Sequence, residues 1–228
     1  MGKIETYVNQ EFRRLRHLDA ACNFCEMSFE NCHFDNCVLL QDSDPSYPIE
    51  VKDVSVSGGS LTNSSAVGTS FERVSLSSCQ TPGDPIAPQG CVFSEVKLRG
   101  SMGSWIFTDM HSSIPEETRA EFLEAEREFY KNVDFALDVS EGIFETADMF
   151  YLPGDLVVRD PETQVLIRKS RLATADVSRL PRLMVRLLRR VEKNPYDSTA
   201  FVVGRDREDF DEALAELQLL VDLGIAER

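Results

Sequence analysis

The stretch at residues 22–41, CNFCE MSFEN CHFDN CVLLQ, divides into fives, and the third place of every unit holds an aromatic residue or leucine: Phe24, Phe29, Phe34 and Leu39. The same register resumes at 54–78 as VSVSG GSLTN SSAVG TSFER VSLSS, with Val56, Leu61, Ala66, Phe71 and Leu76 at the third place. It fades in 91–105, CVFSE VKLRG SMGSW, where Gly103 takes that place. Two interruptions, 42–53 with Pro and Asp and 79–90 rich in Pro and Gly, read as loops.

A period of five matches neither the 3.6 of a helix nor the 2 of a flat strand, and either would scatter these side chains over all faces. A coil of short straight sides separated by corners keeps them together. Each side then points its third residue inward. The first residue, two places earlier, also turns in at the corner, where room is limited. That first place reads Cys22, Met27, Cys32, Cys37, Val54, Gly59, Ser64, Thr69, Val74, Cys91, Val96 and Ser101, all small or β-branched apart from Met27. Ser, Asn, Glu and Arg dominate the remaining places, as outward positions require.

This pattern resembles the pentapeptide-repeat family, whose members fold as a right-handed quadrilateral β-helix with four five-residue sides per coil. The resemblance covers about residues 22–106 and implies about three coils, hydrogen-bonded to one another at roughly 4.8 Å. Such a stack ends in ladders of unpaired backbone groups and needs cover at both ends. Residues 1–21, which include ETYVNQEFRRLRHL, are expected to form an amphipathic N-terminal cap, and residues 22–110 the short β-helix. Residues 111–228 are expected to form a small acidic α/β or α+β domain over the other end.

All six cysteines precede residue 92. Cys22, Cys25, Cys32 and Cys37, with His33 among them, offer a rival reading as a zinc cluster, because two pairs of thiolates can close a tetrahedron. The five-residue register already accounts for Cys22, Cys32 and Cys37 as inward corner residues and places Cys25 outward, so the coil and the metal exclude each other. The register is taken, and no cofactor is expected.

From about residue 112 the period changes. Ser113 is placed to cap a helix that opens at Pro115 and runs through EETRAEFLEAEREFYKN, with Phe122, Leu123, Phe129 and Tyr130 as its buried stripe. A strand is expected at 134–139, then LVVRDPETQVLIRK as a strand, a turn around Asp160-Pro161-Glu162 and a returning strand. A helix at about 179–193, a strand at 200–203 and a helix at about 207–223 that ends at Gly224 follow. In the first of these helices Arg179, Arg182, Arg186, Arg189, Arg190 and Lys193 recur at three- and four-residue steps beside an apolar face of Leu180, Met184, Leu187, Leu188 and Val191. This basic stripe is either a docking face, or is paired with the domain's own acidic helices, EETRAEFLEAERE and REDFDEALAE, or simply faces water.

Of the 228 residues, 39 are acidic and 24 basic, a net charge of −15. That excess makes nucleic acid and anionic membranes poor partners, while 42% hydrophobic content suits a folded core. Neither an apolar run long enough to cross a bilayer nor an apolar leader is present, so the chain reads as cytoplasmic. The only histidines are His17, His33 and His111, and P-loop, GxGxxG, GxSxG and HExxH motifs are lacking. An enzyme would need carboxylates with Tyr130, Tyr151 or Tyr196 at the junction of the two halves. Pentapeptide-repeat proteins that mimic duplex DNA toward DNA gyrase carry negative charge along the coil, a second alternative. The repeat runs here hold only Glu26, Glu30, Asp35, Glu72 and Glu95 against Arg73, Lys97 and Arg99. The reading that fits the charge best is a non-enzymatic protein-interaction scaffold of immunity or antitoxin type, binding and blocking a basic protein partner through its acidic second half.

Overall fold

The computed structural model describes residues 4–228, which are mostly β-sheet with four α-helices. The first half is a succession of short strands: β1 (Glu5–Val8), β2 (Glu11–Arg13), β3 (Arg16–Leu18), β4 (Cys22–Glu30), β5 (His33–Asp35), β6 (Val38–Leu40), β7 (Ile49–Ser57), β8 (Ser60–Thr62), β9 (Ser65–Val67), β10 (Thr69–Glu72), β11 (Ser75–Ser77), β12 (Val92–Ser94) and β13 (Val96–Ile106). They pair in parallel. One large sheet runs β1-β4-β7-β11-β13 with β10 and β12 beside β7, and β2-β5-β8 and β3-β6-β9 form two three-stranded sheets. The third-place side chains therefore stack in columns. Tyr7, Phe29, Val56, Leu76 and Leu98 make one. Phe12, Phe34 and Leu61 make a second, and His17, Leu39 and Ala66 a third. Phe24, Val51, Phe71 and Phe93 make the fourth. Tyr7 stacks on Phe29 with centroids 5.2 Å apart, Phe12 on Phe34 at 5.0 Å and Phe71 on Phe93 at 5.4 Å.

The corners are made by the fifth residue of the unit, which sits at positive φ at Asn9, Arg14, Asp19, Glu26, Asn31, Asn36, Asp53, Gly58, Asn63, Gly68, Arg73, Ser78, Glu95 and Gly100, but not at Gln41 or Trp105, which end their runs. Two expectations change with this geometry. Residues 5–18 are not an amphipathic cap; β1, β2 and β3 pair with β4, β5 and β6 in the same register, because ETYVN QEFRR LRHLD is itself three units with Tyr7, Phe12 and His17 at the third place. The interruption at 42–53 is shorter than expected, since Ile49–Lys52 pair with Cys22–Cys25 and bury Ile49 and Val51. The segment 79–90 touches the columns through isolated parallel bridges, Ser60 with Gln80 and Val67 with Gln89.

The second half contributes α1 (Glu116–Tyr130), β14 (Leu137–Asp138), β15 (Gly142–Asp148), β16 (Val157–Val158), β17 (Gln164–Arg168), α2 (Lys169–Leu172), α3 (Arg182–Lys193), β18 (Ser198–Val202), α4 (Phe210–Asp222) and β19 (Ala226–Glu227). β14 and β15 extend the large sheet in parallel from β13, and β18, β17 and β19 continue it antiparallel. One hydrophobic core runs from Tyr47 through Leu98 and Phe122 to Val202 without parting near residue 110, and a second packs α3 and α4 on β17. The expected hairpin across Asp160 does not form: β16 pairs with β14, and β17 with β18 and β19. Asp160 accepts from the Glu162 amide and the Thr163 hydroxyl, and Arg159 donates to the Gly154 and Val157 carbonyls, so the chain is turned out of the β16 plane. The strand expected at 134–139 is confined to β14, and β15 carries the longer run. Ser113 does not cap α1; its hydroxyl is 2.8 Å from the His111 ring, and Pro115 holds the N-cap position. No helix among the described residues is long and apolar enough to cross a membrane.

Gly59 shows how tightly neighbouring strands approach, because a Cβ there would lie 1.8 Å from the Cys32 carbonyl oxygen at φ +84, whereas at Gly83 (φ +92) it would meet nothing within 4 Å. Gly59→Ala is accordingly expected to lose about 2–3 kcal/mol more than Gly83→Ala in urea unfolding. Equal losses would show that the strand contact gives way.

Candidate functional site

Helix α3 forms because Met184, Leu188 and Val191 fall on one face and are buried in the second core, where Leu180, just before the helix, joins them. The spacing that buries them turns Arg182, Arg186, Arg189 and Lys193 to solvent, with Arg179 in a preceding 3-10 turn. Of the six basic residues singled out by sequence, one is tied down: Arg190 pairs with Asp148 on β15 at 2.7 Å and lies over the Phe150 ring, 4.1 Å from its centroid. Arg179, Arg182, Arg186, Arg189 and Lys193 have no ion pair and no side-chain hydrogen bond among the described residues. Pairing with the acidic helices α1 and α4 is not what holds the stripe. Leu183, 64% exposed, stands amid these cations.

Elsewhere the cations are engaged. Arg73 bridges Asp53 and Glu72, Arg168 holds Asp155 and Glu227, and Arg205 meets Asp160 and Glu162. Outside this stripe, only Arg14 and Arg16 among the described residues lack an ion pair, a side-chain hydrogen bond and an aromatic ring partner. The α3 stripe also opposes its own helix: no acid lies in the first turn, Arg182 sits there at the positive end of the dipole, and no side chain caps it. Like charges at steps of three and four cost tenths of a kcal/mol each.

A second feature lies under α1. The buried stripe of this helix is Phe122, Glu126 and Tyr130, so the carboxyl of Glu126 replaces the Leu123 and Phe129 positions expected from sequence, which are only half-buried. Glu126 is 6% exposed, and the Tyr196 hydroxyl donates to its Oε2 at 2.8 Å. Burial pushes its carboxyl up to about 8, with Asp109 adding to the rise and the Tyr196 bond opposing it. Burial likewise raises the Cys91 thiol to about 12, and Tyr47, Tyr130 and Tyr196 are all held neutral. The hydroxyls of Tyr47 and Tyr130 are buried without a hydrogen-bond partner. Tyr130 and Tyr196 thus meet a carboxyl where the two halves join, while Tyr151 packs in the second core. An open groove of about 520 Å³ beside α1 is lined by Tyr47, Glu72, Phe129 and neighbours but not by Glu126, so nothing in that groove would reach the carboxyl.

The four cysteines of the rival zinc reading do not converge. Cys32 is buried with its thiol toward the Tyr7 and Glu30 carbonyls, Cys37 points at the Phe12 carbonyl, and Cys25 is exposed on the strand that begins at Cys22. No cluster of three or more His, Cys, Asp or Glu among the described residues could hold a metal ion.

Two outcomes follow from these charges. Arg182→Glu is expected to raise stability by about 0.3–1 kcal/mol, read as a higher melting temperature, since it removes a repulsion and complements the dipole. Glu126 has a folded pKa above its ordinary 4.5. The unfolded chain therefore binds fewer protons between pH 4.5 and 8, and stability falls as pH rises through that window, by up to about 5 kcal/mol. Glu126→Gln should flatten that slope in urea titrations across pH, and an unchanged slope would assign it to other groups. No protein family, curated protein or solved structure matches the chain.

Proposed function

We propose that the protein is a protein-interaction scaffold whose α3 face docks an acidic segment of a partner protein. In this reading the first half is a four-sided β-helix of the pentapeptide-repeat kind, and the second half is an α/β unit built on its last strands. The columns of third-place residues and the positive-φ corners that recur at the fifth place support that architecture. The observation that carries the function is the row of unpaired cations, Arg179, Arg182, Arg186, Arg189 and Lys193, around exposed Leu183 in a chain of net charge −15. Acids are plentiful within this molecule, yet none engages that row. Unsatisfied charge surrounding an apolar anchor is the arrangement that gives a partner both steering and buried contact.

A second reading keeps the scaffold and inverts the partner. Glu116, Glu117 and Glu121 on α1 are exposed and free of ion pairs among the described residues, as are Asp211 and Glu212 on α4. A basic partner blocked by such a face is the immunity or antitoxin type of action. The DNA-mimic alternative draws less support, because Glu72 on the strand faces is neutralised by Lys52 and Arg73.

Affinity capture from the source cell with three forms of the protein separates the two. The wild type should retain a partner that elutes with rising salt. The Arg182→Glu, Arg186→Glu, Arg189→Glu variant should lose it, and Glu117→Lys, Glu121→Lys should keep it. The opposite pattern would overturn docking on α3 and favour a basic partner on α1.

A further inference from the structure

The two ends of the strand stack differ. At the far end β13 passes into β14 and β15, so the second half occupies that edge. At the near end β1, β2 and β3 are each the terminal strand of a sheet, paired on one side only. Three parallel edges thus lie open together, and an unpaired edge is a template for another strand. Ile4, Val8, Leu15 and Leu18 belong to this circuit, and with Val158 and Leu183 they are the exposed large apolar side chains among the described residues. Leu15 holds the inward first place of its unit and is still 55% exposed, because no strand lies over it. The third-place rings of the same circuit, Tyr7 and Phe12, which head two of the columns, are likewise only half-buried.

We propose that this end is a self-association surface, on which a second copy of the chain stacks its own β1–β3 circuit about a two-fold axis. Charge selects that occupant. Two molecules of net charge −15 repel over most of their surfaces. The circuit from Glu5 to Asp19 is an exception, since Glu5, Glu11 and Asp19 are matched by Arg13, Arg14 and Arg16. An isologous contact needs one patch carrying both signs, and this patch does. Glu11 already pairs with Arg13 inside one molecule, which leaves Arg14 and Arg16 free to meet Glu5 and Asp19 of the other copy. Head-to-tail stacking is closed off, because the complementary end of each stack is occupied by β14 and β15 on β13 and by the segment 79–90, which bridges β8 and β9. The remaining way to pair the open edges between copies is end to end, which closes at two.

Sedimentation equilibrium of the full chain from low micromolar to several hundred micromolar tests this. A monomer–dimer equilibrium is expected, with hydrogen exchange of residues 5–18 slowing as the dimer fills. Val8→Lys with Leu18→Lys places four new positive charges at the contact of each dimer, on side chains that face outward and leave the columns intact. It should weaken dimerisation at least tenfold, with unchanged circular dichroism and melting of the monomer. A monomer throughout the range overturns the proposal. So does a mass that grows without limit, or a dimer whose new protection falls on α3 or α1 rather than on residues 5–18.

Discussion

A left-handed residue recurring at the fifth position of its units is the constraint on which the first half depends. Three extended residues advance the chain by about 10 Å, and the αL residue after them redirects it. For Glu26, Arg73 or Glu95 that conformation costs on the order of 1–2 kcal/mol, and it persists only where the surroundings over-determine it. They do so through the next strand over. The amide of Asn31 donates to the Ser57 carbonyl at 2.8 Å, that of Asn36 to Thr62 at 2.9 Å and that of Arg73 to Ser94 at 2.8 Å. A corner is therefore stable in proportion to the neighbour that receives it, and each strand with its corner supports the next strand paired in parallel with it.

That dependence makes the treatment of the last circuit decisive. The second half does not lie over it as a separate lid but grows from it, since β13 hands its backbone bonds to β14 and β15 before the antiparallel strands begin. Helix α1 then folds back along the flank, bringing Phe122 within 5.7 Å of Tyr47 in an edge contact. Glu126 follows one turn later and takes the Tyr196 hydroxyl, tying the segment before β18 to the same flank. A leucine there would fill the space without fixing it. A carboxyl that accepts the Tyr196 hydroxyl specifies the mutual placement of α1 and the segment before β18, at the expense of stability above its pKa.

The columns are legible in the sequence because third-place residues are large and first-place residues are small. The first circuit escapes that test. Its third places, Tyr7, Phe12 and His17, conform, but its first places are Glu5, Gln10 and Leu15, where no further strand of the same chain pairs beyond β1, β2 and β3. Asn9 at the fifth place, matching Asn31, Asn36 and Asn63, is the signal that identifies it, since asparagine tolerates αL. IEVKD at 49–53 is concealed in another way, by following the Pro- and Asp-bearing segment directly. Glu126 looks like one more solvent acid in an acidic helix, and its spacing four residues from both Phe122 and Tyr130 is the only trace of burial. The hairpin at Asp160 misleads because turn chemistry is local, whereas the partner of a strand is decided by the whole sheet.

The basic stripe is legible as helical spacing, yet which of its members are free depends on tertiary placement. Arg190 is tied down because β15 ends in Asp148 beneath it, a neighbour that no local pattern reveals. Acids outnumber bases by 39 to 24, and most of the described cations have a partner: eleven pair with a carboxylate, and Lys97, Arg119, Arg159, Lys169 and Arg228 meet a ring, a carbonyl or an amide oxygen. The exceptions gather at α3 and at Arg14 and Arg16, the same two regions that expose Leu183 and the group Val8, Leu15 and Leu18. Free cations next to exposed apolar side chains are unfavourable for an isolated, strongly acidic monomer on both counts. Their coincidence at two separate places is what a surface shaped for contact with other chains would leave behind.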